Sequence, residues 1–182
     1  MFSIAVFCGA RPGAREDYLA AADGFGRTLA ARDIALVYGG GNIGLMGALA
    51  DGALDLGGHV IGVIPDFLRE REVCHAGLAE TLVVDDLFER KALMIERSDA
   101  FVALPGGIGT YDEILEVIAW RQLRQLRQPI GILNVAGYFD PWLAALRHGV
   151  DEGFISDADL DALIVERDPE LLIDLLIEAA QA

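Results

Sequence analysis

Seven short runs rich in aliphatic and β-branched residues recur along this chain. They alternate with six longer stretches whose apolar residues repeat at helical spacing, and nothing else in the sequence limits the fold so strongly. The short runs, at residues 3–8, 34–38, 59–64, 81–84, 100–104, 130–133 and 163–165, are predicted strands. The longer ones, at 16–31, 44–56, 87–97, 110–123, 141–152 and 169–180, are predicted helices. Strands that are apolar throughout need cover on both faces. Helices between them supply it, which makes the strands parallel and the crossovers right-handed. The expected architecture is α/β, a Rossmann-like doubly wound parallel sheet. The stretch 65–80 breaks the alternation, because a proline, a row of charges and a glycine leave room only for a short helical turn. No repeat, low-complexity tract or linker divides the 182 residues, so 1–182 is expected to form a single domain.

Charge removes several partners. Lys and Arg total 14 against 29 Asp and Glu, a net charge of -15, so a nucleic-acid backbone or an anionic membrane would meet mostly repulsion. No apolar run approaches the roughly 18 residues of a membrane span. Residues 1–8 are apolar but lack the basic start of a secretion signal, so no export is expected. Cys8, Cys74, His59, His75 and His148 show no metal-ligand spacing, so no metal is expected, and the cysteines fit reduced thiols in a cytoplasm. The acidity is uneven. Residues 151–182 hold 10 acids against Arg167 alone, a balance of -9, which leaves -6 for the first 150 residues.

The basic residues comprise 13 arginines and one lysine, Lys91. A Walker A loop needs Gly-Lys-Ser/Thr, whereas Lys91 stands in Glu89-Arg90-Lys91-Ala92, so a P-loop nucleotidase is excluded. A pyridoxal enzyme would have to build its Schiff base on this helical lysine, which is a poor prospect.

Ligands of doubly wound sheets bind beyond the carboxyl ends of the strands, and three glycine-bearing loops are predicted there. They cover residues 9–13, 39–44 and 105–110. Glycine lets a ligand approach the backbone, and the following helix offers unpaired amides to an anion such as phosphate. Any one of these loops could equally be a tight strand-to-helix turn. Gly39, Gly41 and Gly44 satisfy G-x-G-x-x-G, with Asp66 about 20 residues further on, as in dinucleotide sites. The loop follows the second strand, however, and Asp66 follows Pro65, so a NAD site is a weak match.

Chemistry concentrates in the third loop, Pro105-Gly-Gly-Ile-Gly-Thr-Tyr-Asp-Glu113, together with Arg90 and Lys91 upstream. Thr110 and Glu113 also read as a capping box, with Thr110 as N-cap, and Arg90 and Lys91 as solvated helix charges. Asp112, Glu113 and Glu116 crowd the start of a helix whose amides would face a phosphate. That conflict eases if Arg90 and Lys91 lie across the loop and Glu113 faces a sugar carbon. Met46 and Met94 read as core, and Trp120 and Trp142 as packing against a neighbouring layer.

The pair of motifs Arg90-Lys91-Ala92-Leu93-Met94 and Pro105 to Glu113 resembles the LOG (Lonely Guy) family of cytokinin riboside 5'-monophosphate phosphoribohydrolases, long labelled lysine decarboxylases. The resemblance extends from Phe7-Cys8-Gly9 through Gly39-Gly40-Gly41, Gly44-Leu45-Met46-Gly47 and Gly62-Val63-Ile64-Pro65 to the C-terminal helix. It implies hydrolysis of the N-glycosidic bond of adenine-type nucleoside 5'-monophosphates, AMP included, to free base and ribose 5-phosphate, without a cofactor. It implies Glu113 as the catalytic carboxylate, with Arg90 holding phosphate or ribose or assisting the departing base, and Lys91 adding charge. Gly106, Gly107, Ile108, Gly109 and Thr110 would cradle the phosphate. Gly9, Gly40, Gly41 and Glu72 would be further substrate contacts, and the chain would be a homodimer joined near the apolar 110–123 helix. Ala119 departs from plant-type members, which carry a nucleotide-contacting threonine there. A binding module, a nucleotide sensor or carrier on the same fold, is the alternative.

Overall fold

A computed structural model describes residues 1–69 and 74–182. The seven strands are β1 (Ser3–Phe7), β2 (Ala35–Tyr38), β3 (Val60–Pro65), β4 (Glu80–Val84), β5 (Ala100–Ala103), β6 (Ile130–Leu133) and β7 (Leu163–Glu166). They form one parallel sheet in the order β4-β3-β2-β1-β5-β6-β7. The helices are α1 (Glu16–Ala31), α2 (Gly44–Asp55), α3 (Leu87–Glu96), α4 (Ile108–Gln122), α5 (Asp140–Asp151), α6 (Asp157–Asp161) and α7 (Pro169–Gln181). The expected doubly wound α/β fold is present, and each strand lies within one residue of its predicted bounds.

Strand alternation divides the core into two layers. Ile4 and Val6 of β1 point to the side packed by Phe25 and Leu29 of α1, Leu49 of α2, and Leu172 and Leu176 of α7. Ala5 and Phe7 point to the other side, against Met94 of α3, Ile114 and Val117 of α4, and the ring of Phe139. The central strands are therefore apolar on both faces, as a covered parallel sheet requires. The edge strand β4 differs: Val83 is 49% exposed, since no further strand or helix covers that flank among the described residues.

Between 65 and 80 the only described helical turn is Asp66–Leu68, of 3-10 type. Two pieces escaped the sequence reading, α6 and a 3-10 turn at Val135–Gly137. Both are too short for the 3.6-residue period to register. Ser156 caps α6 by accepting from the Asp159 amide at 3.1 Å, a signal present in Ser156-Asp-Ala-Asp159.

The strand order reverses between β1 and β5. Loops leaving neighbouring strands of a doubly wound sheet run to opposite faces at that point, which opens a crevice above the sheet. Every element of the candidate site borders it.

Candidate active site

The loop after β1 and the loop after β5 meet at the reversal. The Gly9 amide donates to the Pro105 carbonyl at 3.0 Å. A Cβ on Gly9 would fall 3.2 Å from the Gly106 Cα, and one on Gly106 would fall 2.0 Å from the Thr110 hydroxyl oxygen. Both glycines are therefore packing residues that let two backbones touch, and neither lines the cavity. Tyr138, after β6, donates its hydroxyl hydrogen bond to the Gly106 carbonyl and holds the same loop from the far side. Burial, then the Tyr138 hydroxyl 3.5 Å away, pushes the Tyr111 phenol up to about 12.

Beside this junction opens a cavity of about 560 Å³, within the range of small-molecule sites. Arg11, Gly39, Met46, Arg90, Thr110 and Glu113 are among its lining residues, as are Cys8, Gly107, Ile108 and Gly109. Arg90 and Glu113, 23 positions apart in sequence, thus face one space.

The start of α4 departs from the capping box expected at Thr110. The N-cap is Gly107, no side chain caps the helix, and Thr110 lies inside the first turn, 3% exposed against Gly106. Glu113 consequently sits in the second turn, too far along to reach back to the N-cap. It shares a face with Gly109 and Thr110 at i-4 and i-3. A box of this type occurs at α3 instead. There Asp86 accepts from the Phe88 and Glu89 amides, each at 2.8 Å, and Glu89 accepts from the Asp85 amide at 2.8 Å. The first amides of α4 have no intrahelical partner and are suited to an anion. A Cβ on Gly107 or Gly109 would meet nothing within 4 Å, so the chain's own packing does not require glycine there, whereas a ligand approaching the backbone would.

Arg90 is buried on α3, 6% exposed, and its guanidinium is aimed by backbone. Nε donates to the Val63 carbonyl at 3.1 Å and Nη2 to the Gly39 carbonyl at 2.9 Å. Two of five N–H groups therefore fix the plane of the fork while the residue faces the cavity. Gly39 is bare for the same reason, since a Cβ there would stand 2.0 Å from Arg90 Nη2.

Lys91 does not line the cavity. Its ammonium lies 3.0 Å from Asp112 and 2.6 Å from Glu116 on α4. The crowding of carboxylates is thus relieved by a cation across the helix pair, and Glu113 is left on the cavity side.

The G-x-G-x-x-G loop is not arranged as a dinucleotide cradle. The Gly9 carbonyl accepts from the Leu45 amide at 3.0 Å and the Met46 amide at 3.3 Å, which occupies the first amides of α2. Gly40, with φ of +76°, turns the chain in the left-handed region, and neither it nor Gly41 is among the residues that line the cavity. The Gly40 carbonyl accepts from the His75 amide at 3.0 Å, and Gly41 bridges to Cys74. Glu72 lies outside the described residues.

Arg11, Tyr138 and the cavity face of Met46 are not singled out by sequence reading, and Gly39 is read there only as part of the G-x-G-x-x-G match and the family motif. Met46 is core, 5% exposed, and also borders the cavity. Trp142 packs on Tyr111 and Phe139, ring centroids 6.0 and 5.8 Å away, whereas Trp120 is 39% exposed. Ala119 is on the exposed side of α4, outside the cavity lining.

A doubly wound sheet with its cavity at the strand-order reversal, an uncapped glycine-led helix on one wall and a backbone-aimed arginine on another, defines a Rossmann-like protein built to hold a small anionic ligand. The chain belongs to the LOG family. The matching family model, described as "Possible lysine decarboxylase", covers residues 46–176. A cytokinin riboside 5'-monophosphate phosphoribohydrolase of Rhodococcoides fascians is 48% identical over 169 residues, 92% of this chain and 85% of the relative. One of Arabidopsis thaliana is 45% identical over 177 residues, 97% of this chain and 82% of the relative. Among solved structures, the molybdenum cofactor carrier protein of Chlamydomonas reinhardtii shares the fold, with a TM-score of 0.75 at 22% identity, covering 100% of this chain and 99% of the other. The decarboxylase description does not suit a pyridoxal Schiff base here, because the one lysine is outside the cavity and bound between two acids.

Proposed function

We propose that residues 1–182 form one nucleotide-binding unit that hydrolyses the N-glycosidic bond of adenine-type nucleoside 5'-monophosphates, N6-prenylated or plain. The observation that carries this reading is the meeting of Arg90, Glu113 and the uncapped start of α4 in one cavity. The phosphate sits on the amides of residues 107–110, where the helix dipole and unpaired N–H groups favour negative charge. Glu113, one turn along the same face, then lies by the ribose. Cleavage of the bond from C1' to the base gives the sugar oxocarbenium character, which a carboxylate stabilises. Water adds its oxygen to C1' and gives up a proton to Glu113, while the base leaves with the bonding electrons and takes a proton from solvent, to which Glu113 returns its own. Arg90, held by two carbonyls, is a fixed donor beside this centre.

Arg11 supports the reading. Together with Arg121, Arg124 and Arg127 it belongs to the described arginines with no ion pair, and it alone of these four lines the cavity. It is assigned to the ligand phosphate. Arg11→Ala lowers kcat/KM for AMP by about 10- to 100-fold, the worth of one hydrogen bond to a charged group. Adenosine, which lacks the phosphate, is processed poorly by both proteins and loses little in the variant. An equal loss on both substrates in a kinetic comparison contradicts the assignment.

The active form is a homodimer in a reducing cytoplasm. The support is an exposed apolar stripe made by Ile108, Leu115 and Ala119 of α4 and Leu123 at its C-cap, together with Phe88 of α3, which is 77% exposed. The two free cysteines suit such a compartment. Light scattering on the eluting protein gives twice the 19.5 kDa chain mass, and Leu115→Asp shifts it toward the monomer.

A further inference from the structure

We propose that Lys91 is a positioning residue for Glu113: its ammonium straps α3 to α4 and neutralises the acids that flank Glu113, so that Glu113 meets the sugar as a carboxylate. The inference rests on reading Glu113 as the working carboxylate. Asp112, Glu113 and Glu116 stand within five residues of α4. Asp112 and Glu116, at i and i+4, share one helix face and both reach Lys91 Nζ, at 3.0 and 2.6 Å. Glu113 points to the cavity instead. On α3 the division is mirrored, since Arg90 lines the cavity and its neighbour Lys91 turns to α4.

The strap is shielded enough to matter. The Lys91 side chain is 13% exposed and that of Glu116 24%, so water and salt screen this pair less than a surface pair. Burial pulls the ammonium toward its neutral form, but its ion pair with Glu116 and the hydrogen bond it donates to Asp112 outweigh that, and Lys91 holds its proton above the ordinary lysine range. It is therefore a permanent cation at any working pH.

Among the described residues, the charged and titratable groups around Glu113 are Arg90 from α3, Arg11 and Cys8 from the segment after β1, and Asp112 and Glu116 on its own helix. Removing Lys91 leaves the last two uncompensated, with the Glu116 Cβ about 5–6 Å from that of Glu113. Like charges disfavour a further charged form, so Glu113 would keep its proton to higher pH. A general base works above its own pKa and fails as pH falls through it. The acid limb of the rate profile must then move up in pH.

The test is a carbon-13 NMR titration of glutamate carboxyls in the full chain, with the Glu113 signal identified by its loss in Glu113→Gln. Lys91→Met is expected to move the Glu113 midpoint up by about one pH unit, and Lys91→Arg to restore most of it. Glu116→Gln, which deletes a negative neighbour and keeps Lys91, is expected to move it down and carries the test if Lys91→Met does not fold. In kinetics, Lys91→Met loses about tenfold in kcat on the acid limb and recovers at higher pH, with KM for AMP within about twofold. An unmoved Glu113 titration overturns the proposal. So does a Lys91→Met variant whose only change is a raised KM, which would make Lys91 a ligand contact. Absence of base release by the unmodified chain at every pH would refute the hydrolase reading instead, and the carboxyl titration still decides the role of Lys91.

Discussion

Glu113→Gln lowers kcat for base release from AMP by about a thousandfold or more, the scale on which removal of a positioned general base acts. The amide keeps the size and shape of the carboxylate but can neither take the water proton nor offer full negative charge to the sugar. The 107–110 amides and Arg11 are untouched, so the dissociation constant for AMP stays within about threefold. Calorimetry on the variant, beside a discontinuous assay for free base, checks both halves. Full turnover in Glu113→Gln removes the mechanism. Equal loss of binding and turnover would move Glu113 from the reaction to ligand capture.

Gly39→Ala has an effect of similar size although Gly39 carries no chemistry. Its Cβ would lie 2.0 Å from Arg90 Nη2 and 3.0 Å from the Met46 sulfur. Gly39 does not have a positive φ, so alanine is compatible with the backbone and the clash is purely with side chains. Arg90 must swing away and surrender its bonds to the Gly39 and Val63 carbonyls, each worth about 1.5–3 kcal/mol as a bond to a charged group. The predicted outcome is a fall in kcat/KM of at least about 100-fold, with melting lowered by roughly 6–24 °C, about 2–4 °C for each kcal/mol of the two lost bonds. Gly24→Ala is the control, because a Cβ there meets nothing within 4 Å, and it leaves activity unchanged. Unaltered kcat/KM in Gly39→Ala would mean that the aim of Arg90 is irrelevant.

The two substitutions mark where sequence reading succeeds and where it stops. Strand and helix periodicity locate β1 to β7 and six of the helices because both sheet faces are buried, so a shift of register would expose apolar groups. The reversal between β1 and β5 follows from the same pattern only as an expectation for doubly wound sheets, yet it is what puts residues 9–11 beside 105–110. Local signals mislead where tertiary contacts compete with them. Thr110-Tyr-Asp-Glu113 has the form of a capping box, but burial of Thr110 against Gly106 draws the helix start back to Ile108. Glycines are ambiguous in a sequence for a related reason. Gly9, Gly39 and Gly106 are small so that protein atoms can come close, whereas Gly107 and Gly109 are open on the cavity side. No spacing rule separates those cases, because the atoms that decide them come from other strands.

Arg90 and Lys91 show the same limit from the side of charge. Adjacent on one helix, they read alike as cations for an anionic ligand. The fold sends one to the Gly39 and Val63 carbonyls at the cavity wall and the other to Asp112 and Glu116 on the neighbouring helix. The partner atoms lie 21 to 51 positions away in sequence, beyond anything a local motif encodes.

The central claim is met most directly by quantifying every product after incubation with AMP and with N6-isopentenyladenosine 5'-monophosphate. Free base and ribose 5-phosphate in equal amounts are predicted from at least one of them. Nucleoside with inorganic phosphate, or tight nucleotide binding with no base released, would contradict it, the second result pointing to a carrier on the same fold.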